Sequence, residues 1–581
     1  MKKYIYLLLL TIFIGACNED KFLKETPLDF NSGNNSYSTA TDFDLAINEL
    51  YYLTRYEFYC NGDHSIDFLY GTDLVSNGSS AQANLASDLS VSGSIAQSHW
   101  DNLYKLIAQS NTVMSRLPGS NVGSDEQVVF QAKARFFRGL AYRTLVYLYG
   151  GVPLQLEEVT SPKTDYVRST RDETLQQAID DVKFAAENLP DITAVKDGEV
   201  SSPAAYHLLS ELYLAVNQYQ NAVDAATKVI SNPSLALMKD RFGSRATETP
   251  GDVYWDLYRT NNQNRSTYGN TEGIFVIQME TDVTGGGSKT SYYFWDNPGN
   301  YLLERHCAPQ TGLFRMTKNG VTYAPFDWPV GDYTGGRGIG TAVPTEHFEN
   351  EIWASDFNND IRNANHNFVR KFAFNHPTYF ASGFDAIGGD SIDVNNPPAG
   401  MTFLTGLNNQ STFPGRYLYG YQTKCSQPYG YPAALYDNPA TFKLKSTGGG
   451  AYTDQYMFRL AETYLIRAEA YLGLDNSSLA AADINEVRSR ANASPVAAAD
   501  VTLDYILDER IRELGIEERR RLTLGRLGTD IFYNRVIKYN PYYTSNEADG
   551  QGFLKKYTLY PIPLSAIEAN KDDVLEQNPD Y

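Results

Sequence analysis

The stretch 459–491, RLAETYLIRAEAYLGLDNSSLAAADINEVRSRA, decides how the rest of the chain is read. Apolar and small residues recur in it every three or four positions, in two runs separated at Gly473, Leu474, Asp475 and Asn476. That spacing predicts two amphipathic helices joined by a short turn and folded back on one another. Ala468, Ala480, Ala481 and Ala482 are small enough to let the two helices approach closely.

A near twin lies upstream, between Ser202 and Ile230. Tyr206, Ser210, Tyr213 and Ala222 match Tyr464, Ala468, Tyr471 and Ala480 at one constant offset. Hairpins with a small residue, an aromatic three later and an alanine nine beyond that resemble tetratricopeptide repeats, the plainer reading being generic antiparallel helices. A lone hairpin cannot bury its apolar face, so a stack of such units is expected.

The 581 residues suffice for a large core and more than one lobe. Against 49 basic residues stand 69 acidic ones, a net charge of −20, and there is no Lys/Arg-rich run. Nucleic acid is thereby disfavoured as a partner, since phosphate neutralisation needs clustered positive charge. The four cysteines, at 17, 60, 307 and 425, form no CxxC pair that would suggest zinc. Of Cys60, Cys307 and Cys425, at most two can pair with each other.

Lys2 and Lys3 precede an almost wholly apolar run, Tyr4 to Ile14, too short for a permanent membrane helix and read as a secretory signal over 1–16. Ile14, Gly15, Ala16 and Cys17 form a bacterial lipobox, which predicts acylation of Cys17. Two or three acyl chains, at roughly 0.8 kcal/mol per buried methylene, give a lasting anchor. Residues 17–35 then read as a lipidated tether and 36–232 as an N-terminal helical region. In that region Ser124 with Gln127, and Thr170 with Glu173, predict capping boxes at two helix starts. Residues 233–454, rich in Gly, Pro, Asn and Tyr, read as an irregular loop-rich lobe with short strands, inserted in the scaffold. Residues 455–581 return to helices and a tail. The charged run Glu509 to Arg521 reads most simply as a solvated helix laced with i, i+4 pairs, or as a face toward a protein partner.

Taken in order, several landmarks resemble the SusD/RagB family of surface lipoproteins from Bacteroidetes. They are the lipobox with Phe22, Leu23 and Pro27; Trp100, Tyr104, Ile107 and Asn111; Ala134 to Tyr142; and Tyr149 to Pro153. Leu465 to Tyr471, Ile484 to Ala491 and Glu509 to Leu514 follow, and the ending runs from Tyr560–Pro563 to Gln577–Tyr581. The resemblance implies a mainly α fold of about four tetratricopeptide-like units carrying a loop-rich ligand face. It also implies a cell-surface protein without enzymatic activity or cofactor, anchored to the outer membrane. Its role would be to capture oligosaccharide for a SusC-like TonB-dependent transporter. Peptide capture is the alternative within the family. Asn18, Glu19 and Asp20 are similar to the family's surface-export tag. After Arg520 the sequence departs from the pattern of many members.

Sugars are gripped by flat aromatic faces and by polar groups that fix hydroxyls, and a neutral or weakly charged oligosaccharide is expected. Tyr292, Tyr293 and Trp295 form the densest aromatic cluster, with Trp328 and Trp353 further on and Trp100 in a helix motif. Asp67 and Asp73, in a polar loop, are candidates for hydroxyl contacts. No HExxH or GxSxG motif occurs, nor a His/Cys cluster at metal spacing, so no catalytic or metal-binding residues are assigned. A glycosidase needs only two facing carboxylates, which leaves a surface glycoside hydrolase as a third reading.

Overall fold

The computed structural model of the protein describes residues 37–60, 64–78, 85–280, 301–318, 321–376, 390–396, 402–403, 416–446, 448, 450, 452–545 and 552–581. Six long helices precede the strand-and-loop region: α1 (Ala40–Arg55), α2 (Ser94–Arg116), α3 (Ser124–Tyr149), α4 (Arg171–Asn188), α5 (Ser202–Ala215) and α6 (Tyr219–Ile230). Five more follow it: α7 (Leu460–Gly473), α8 (Ser477–Arg490), α9 (Leu503–Glu513), α10 (Arg520–Leu527) and α11 (Thr529–Tyr539). From α2 to α8 each labelled helix packs on the next, so the α5–α6 hairpin sits directly against α7. The architecture is mainly α, a stack of helical hairpins. Among the described residues no helix is long and apolar enough to cross a membrane.

The two hairpins read from the sequence turn with the same backbone conformation. Asn217 and Asp475, related by the same offset as the tyrosines, both take left-handed backbone, with φ of 58° and 56°. Asn and Asp tolerate that region better than other residues with a side chain. In each turn the following N–H closes on a tyrosine carbonyl at 2.9 Å, Gln218 on Tyr213 and Asn476 on Tyr471. Equivalent glutamates extend the match, Glu211 accepting from Arg143 and Glu469 from Arg526.

Helix α3 is the spine. Every residue from Phe136 to Tyr149 is buried, as expected of a helix surrounded by others. Arg138 and Arg143 lie within that span, and each is neutralised across a helix boundary. Arg138 grips Asp181 of α4 through two bonds of 2.8 and 2.7 Å, and Arg143 grips Glu211 of α5 through two of 2.9 and 2.6 Å. Gly139 sets how closely α4 approaches, because a Cβ there would lie 2.5 Å from a methyl of Val182. The capping box of Thr170 and Glu173 forms. That of Ser124 and Gln127 does not: Ser124 is already helical behind Gly123, and the Gln127 side chain turns back to the Val122 carbonyl.

The run from Glu509 to Arg521 is the main correction to the sequence reading. It is largely interior: Glu509, Arg510, Arg512, Glu513, Glu518, Arg520 and Arg521 are all buried. Glu513 accepts from Arg362 at 3.0 Å and Arg459 at 2.6 Å, and also from Arg490. One turn earlier Glu509 accepts from Arg362, Arg488 and Arg512, each at 2.8 Å. Glu272, on the strand side, receives both Arg459 and Arg490. Helix α9 therefore presents an i, i+4 pair of carboxylates to arginines from α8, from the strand before α7 and from the loop region. Burial alone would raise the Glu513 and Glu509 carboxyls, but the surrounding guanidiniums hold both well below the ordinary range.

Strands are short, and every sheet among the described residues has two or three of them. The strand Gly273–Ile277 pairs antiparallel with Gln455–Arg459, the latter running straight into α7. The intervening 177 or so residues, a chain length of the order that forms its own sub-structure, thus leave and return at one place.

Removing one partner of a buried ion pair strands the others, at a cost of about 3–5 kcal/mol. Glu513→Ala should lower the urea unfolding free energy by about that amount. Lys555→Ala, at the exposed pair with Asp530, should leave the midpoint unchanged.

Candidate ligand-binding ridge

In the loop region, four aromatic rings gather at the surface. Tyr429 is 48 % exposed and Phe442 36 %, and their ring centroids are 4.7 Å apart at 72°. Half-buried Tyr333 lies 5.8 Å from Tyr429, and half-buried Tyr436 lies 6.2 Å from Phe442. Both exposed residues have left-handed backbone, φ 60° at Tyr429 and 54° at Phe442. That region is unfavourable for a bulky side chain by roughly 1–3 kcal/mol, and it persists only where the surroundings impose it.

Gly331 imposes it on both. Its N–H donates to the Phe442 carbonyl at 2.8 Å, and its carbonyl accepts from the Tyr429 N–H at 2.7 Å. A Cβ on Gly331 would stand 2.9 Å from the Tyr431 ring, so glycine is required for this close approach. Flanking bonds fix the rest: Val330 bridges to Lys443, and the Leu444 N–H reaches Pro329 at 3.0 Å. Asn438 caps the turn Pro439–Thr441 that delivers Phe442. From the other side Arg245 donates to the Pro428 carbonyl at 2.8 Å while its guanidinium lies over the Trp255 ring.

Under the ridge, Tyr431 donates to Glu304 at 2.5 Å, and the Arg337 N–H reaches the other oxygen at 3.0 Å. Burial nevertheless pushes the Glu304 carboxyl up to about 7. Burial likewise raises Glu349 to about 7 and Asp454 to about 6, against the N–H groups of Gly420 and Met279 that favour their charged forms.

The residues singled out from sequence fare differently. Trp328 is half-buried beside the ridge, its indole N–H on the Gly338 carbonyl at 3.0 Å and the Arg337 guanidinium 5.4 Å from its ring. Trp353 is interior, donating to the Phe348 carbonyl at 2.8 Å. Trp100 packs against Tyr104 and Tyr149 in the helical core. Asp73 is buried between Arg520 and Arg535, which outweigh its burial and hold its carboxyl well below the usual range. Asp67 is buried against His99, whose other nitrogen meets Glu57 at 2.6 Å. Burial disfavours the imidazolium, yet the two carboxylates push it up to about 10. Trp353, Trp100, Asp73 and Asp67 therefore offer no face to a ligand in solution, because each is spent on packing or charge balance. Tyr292, Tyr293, Trp295 and Cys17 lie outside the described residues.

Sequence reasoning missed Tyr429, Phe442, Tyr333 and Tyr436. Among 43 tyrosines and 28 phenylalanines no spacing distinguishes them, and the backbone geometry that exposes two of the four is invisible in the sequence. Among the described residues no group of His, Cys, Asp and Glu is placed to hold a metal ion. A cleft of about 490 Å³ opens elsewhere, at the turn ends of the hairpins, lined by Leu214, Tyr219, Leu472, Leu527 and Ile531, and it shares no residue with the ridge.

Fold and ridge together define a class: a helical-hairpin scaffold that carries a strand-and-loop lobe with an aromatic surface. The model of the SusD family matches residues 271–581, and a model described as "Starch-binding associating with outer membrane" matches 27–214. The chain belongs to the SusD family. It is 23% identical to the SusD-like protein P25 of Formosa agariphila, over 96% of this chain and 94% of that one. It is also 39% identical to the starch-binding protein SusD of Bacteroides thetaiotaomicron, over 22% of each chain. A laminarin-binding SusD-like protein of known structure superposes with a TM-score of 0.63 at 19% identity, covering 94% of this chain and 100% of that one. A SusD homologue from Bacteroides thetaiotaomicron gives 0.64 at 18% identity, covering 96% and 99%.

The raised carboxyls carry a pH signature. A carboxyl that is higher in the folded than in the unfolded state stabilises the fold fully below its unfolded value, and that stability is lost as pH rises through the folded one. Unfolding midpoints should therefore fall as pH rises from about 5 to about 8. Glu304→Gln should flatten part of that slope.

Proposed function

We propose that this protein captures a glycan at the outer face of the outer membrane and delivers it to a SusC-like TonB-dependent transporter, without chemical change. The observation that carries the reading is the pair Tyr429 and Phe442, two exposed rings held in unfavourable backbone by bonds to a single glycine. Sugars present C–H faces to such rings, and a rigid aromatic surface binds them at little cost in side-chain entropy. Membership of the SusD family supports the same reading, as do relatives named for binding starch and laminarin. The outer-membrane association in the description of the matching model supports the location. The proposed anchor is acylated Cys17, the cysteine of the lipobox.

Glycan arrays followed by calorimetry test it. Tyr429→Ala and Phe442→Ala should each weaken glycan binding about 10-fold or more, the range of a lost stacking contact. Unchanged affinity in both would move the site elsewhere, binding of peptides alone would favour the peptide alternative, and release of reducing ends would show a hydrolase. Cys17→Ser should release the protein from the membrane fraction.

A further inference from the structure

Two cysteines meet at the base of the loop lobe. Cys307 ends the short helix Leu303–Cys307, and Cys425 ends the turn Thr423–Cys425. The helix and the turn pack on one another, and both cysteines are buried. Burial raises the Cys425 thiol, and the Cys307 thiol is the neighbour that raises it most. Burial also raises the Tyr419 hydroxyl, and Cys307 and then Cys425 add to it. That hydroxyl donates to the Cys307 carbonyl at 3.3 Å, and the Cys425 thiol donates to the Gln422 carbonyl at 3.2 Å. The two sulfurs thus share one enclosed site.

Each cysteine sits where the lobe is held. Glu304, in the same helix as Cys307, accepts from Tyr431 under the ridge. Lys424, next to Cys425, donates to the Glu513 and Leu514 carbonyls and to Glu517. On either side of it the Thr423 and Ser426 carbonyls accept from Arg259 at 3.0 and 3.2 Å. A bond between the sulfurs would therefore join the support of the aromatic ridge to the charged network that attaches the lobe. It would also close the chain from Ala308 to Lys424 into a loop, and a cross-link over a long loop removes more freedom from the unfolded chain than one over a short loop.

We propose that Cys307 and Cys425 form an intramolecular disulfide in the exported protein. This rests on the outer-membrane location proposed above, because a chain there has left the reducing cytosol. Two S–H bonds are given up and one S–S bond forms. The two electrons and two protons pass to the disulfide of an extracytoplasmic thiol oxidant, which leaves as two thiols. A buried thiol that keeps its proton is a poor nucleophile, so exchange takes place while the chain folds, and native packing then encloses the bond. Cys60 is left as the unpaired cysteine of the three.

The full chain is refolded from urea in mixed oxidised and reduced glutathione, denatured again, and labelled with N-ethylmaleimide without reductant. Peptide mass spectrometry should find Cys60 labelled, and Cys307 joined to Cys425 until a phosphine is added. The urea unfolding midpoint should be higher for the oxidised than for the reduced protein. Cys307→Ala and Cys425→Ala should each abolish that difference, and Cys60→Ala should keep it. The same labelling is applied to fractions of cells that produce the full chain. Full labelling of Cys307 and Cys425 after refolding or in the membrane fraction, or either one paired with Cys60, would overturn the disulfide and leave the location standing. A linked pair in the refolded protein, with the cellular protein found in the cytosolic fraction and its thiols labelled, would overturn the location and the inference with it.

Discussion

The structure depends on carboxylates that cannot be solvated. Glu509 and Glu513, one helical turn apart on α9, are enclosed by Arg362, Arg459, Arg488, Arg490 and Arg512. A buried carboxylate left alone is destabilising enough to be protonated or expelled, whereas one surrounded by guanidiniums stays charged. The five arginines come from four parts of the chain: α8, which supplies Arg488 and Arg490, the strand leading into α7, the loop near Asp360 and α9 itself. Lys424 reaches the same helix, donating to the Glu513 and Leu514 carbonyls and to Glu517. Charge neutrality at this one helix therefore sets where the loop lobe attaches to the hairpin scaffold.

Such a network is specific rather than adhesive. An apolar core of equal volume would bind the pieces together about as well, but it would accept several arrangements. Guanidiniums that must each meet two oxygens at 2.6–3.0 Å accept few. The same logic runs through the hairpins, where Arg138–Asp181, Arg143–Glu211, Arg467–Asp483 and Arg526–Glu469 each lie between helices. A rigid base of this kind lets the ridge hold Tyr429 and Phe442 in backbone they would not adopt alone.

The hairpins were legible because helical spacing and a repeat offset are local properties. The offset that aligned four residues also aligns the left-handed turn residues Asn217 and Asp475 and the paired glutamates Glu211 and Glu469. The charged run after Glu509 was misread for a physical reason. A solvated helix and a helix buried in arginines have the same composition, and the partners of Glu513 lie 23, 54 and 151 positions away. Asp73 and Asp67 show the same limit: an aspartate in a polar stretch of sequence looks free until an arginine or histidine from a distant helix is found against it.

The sequence by itself determined the helical hairpins, the existence of a strand-and-loop lobe between them, and the family, because periodicity and ordered motifs are written along the chain. Only the tertiary structure decided which aromatics face outward and which acids are neutralised inside. Exposure and charge balance belong to pairs of residues brought together from far apart, as Gly331 is with Tyr429 and Phe442, and no single stretch contains them.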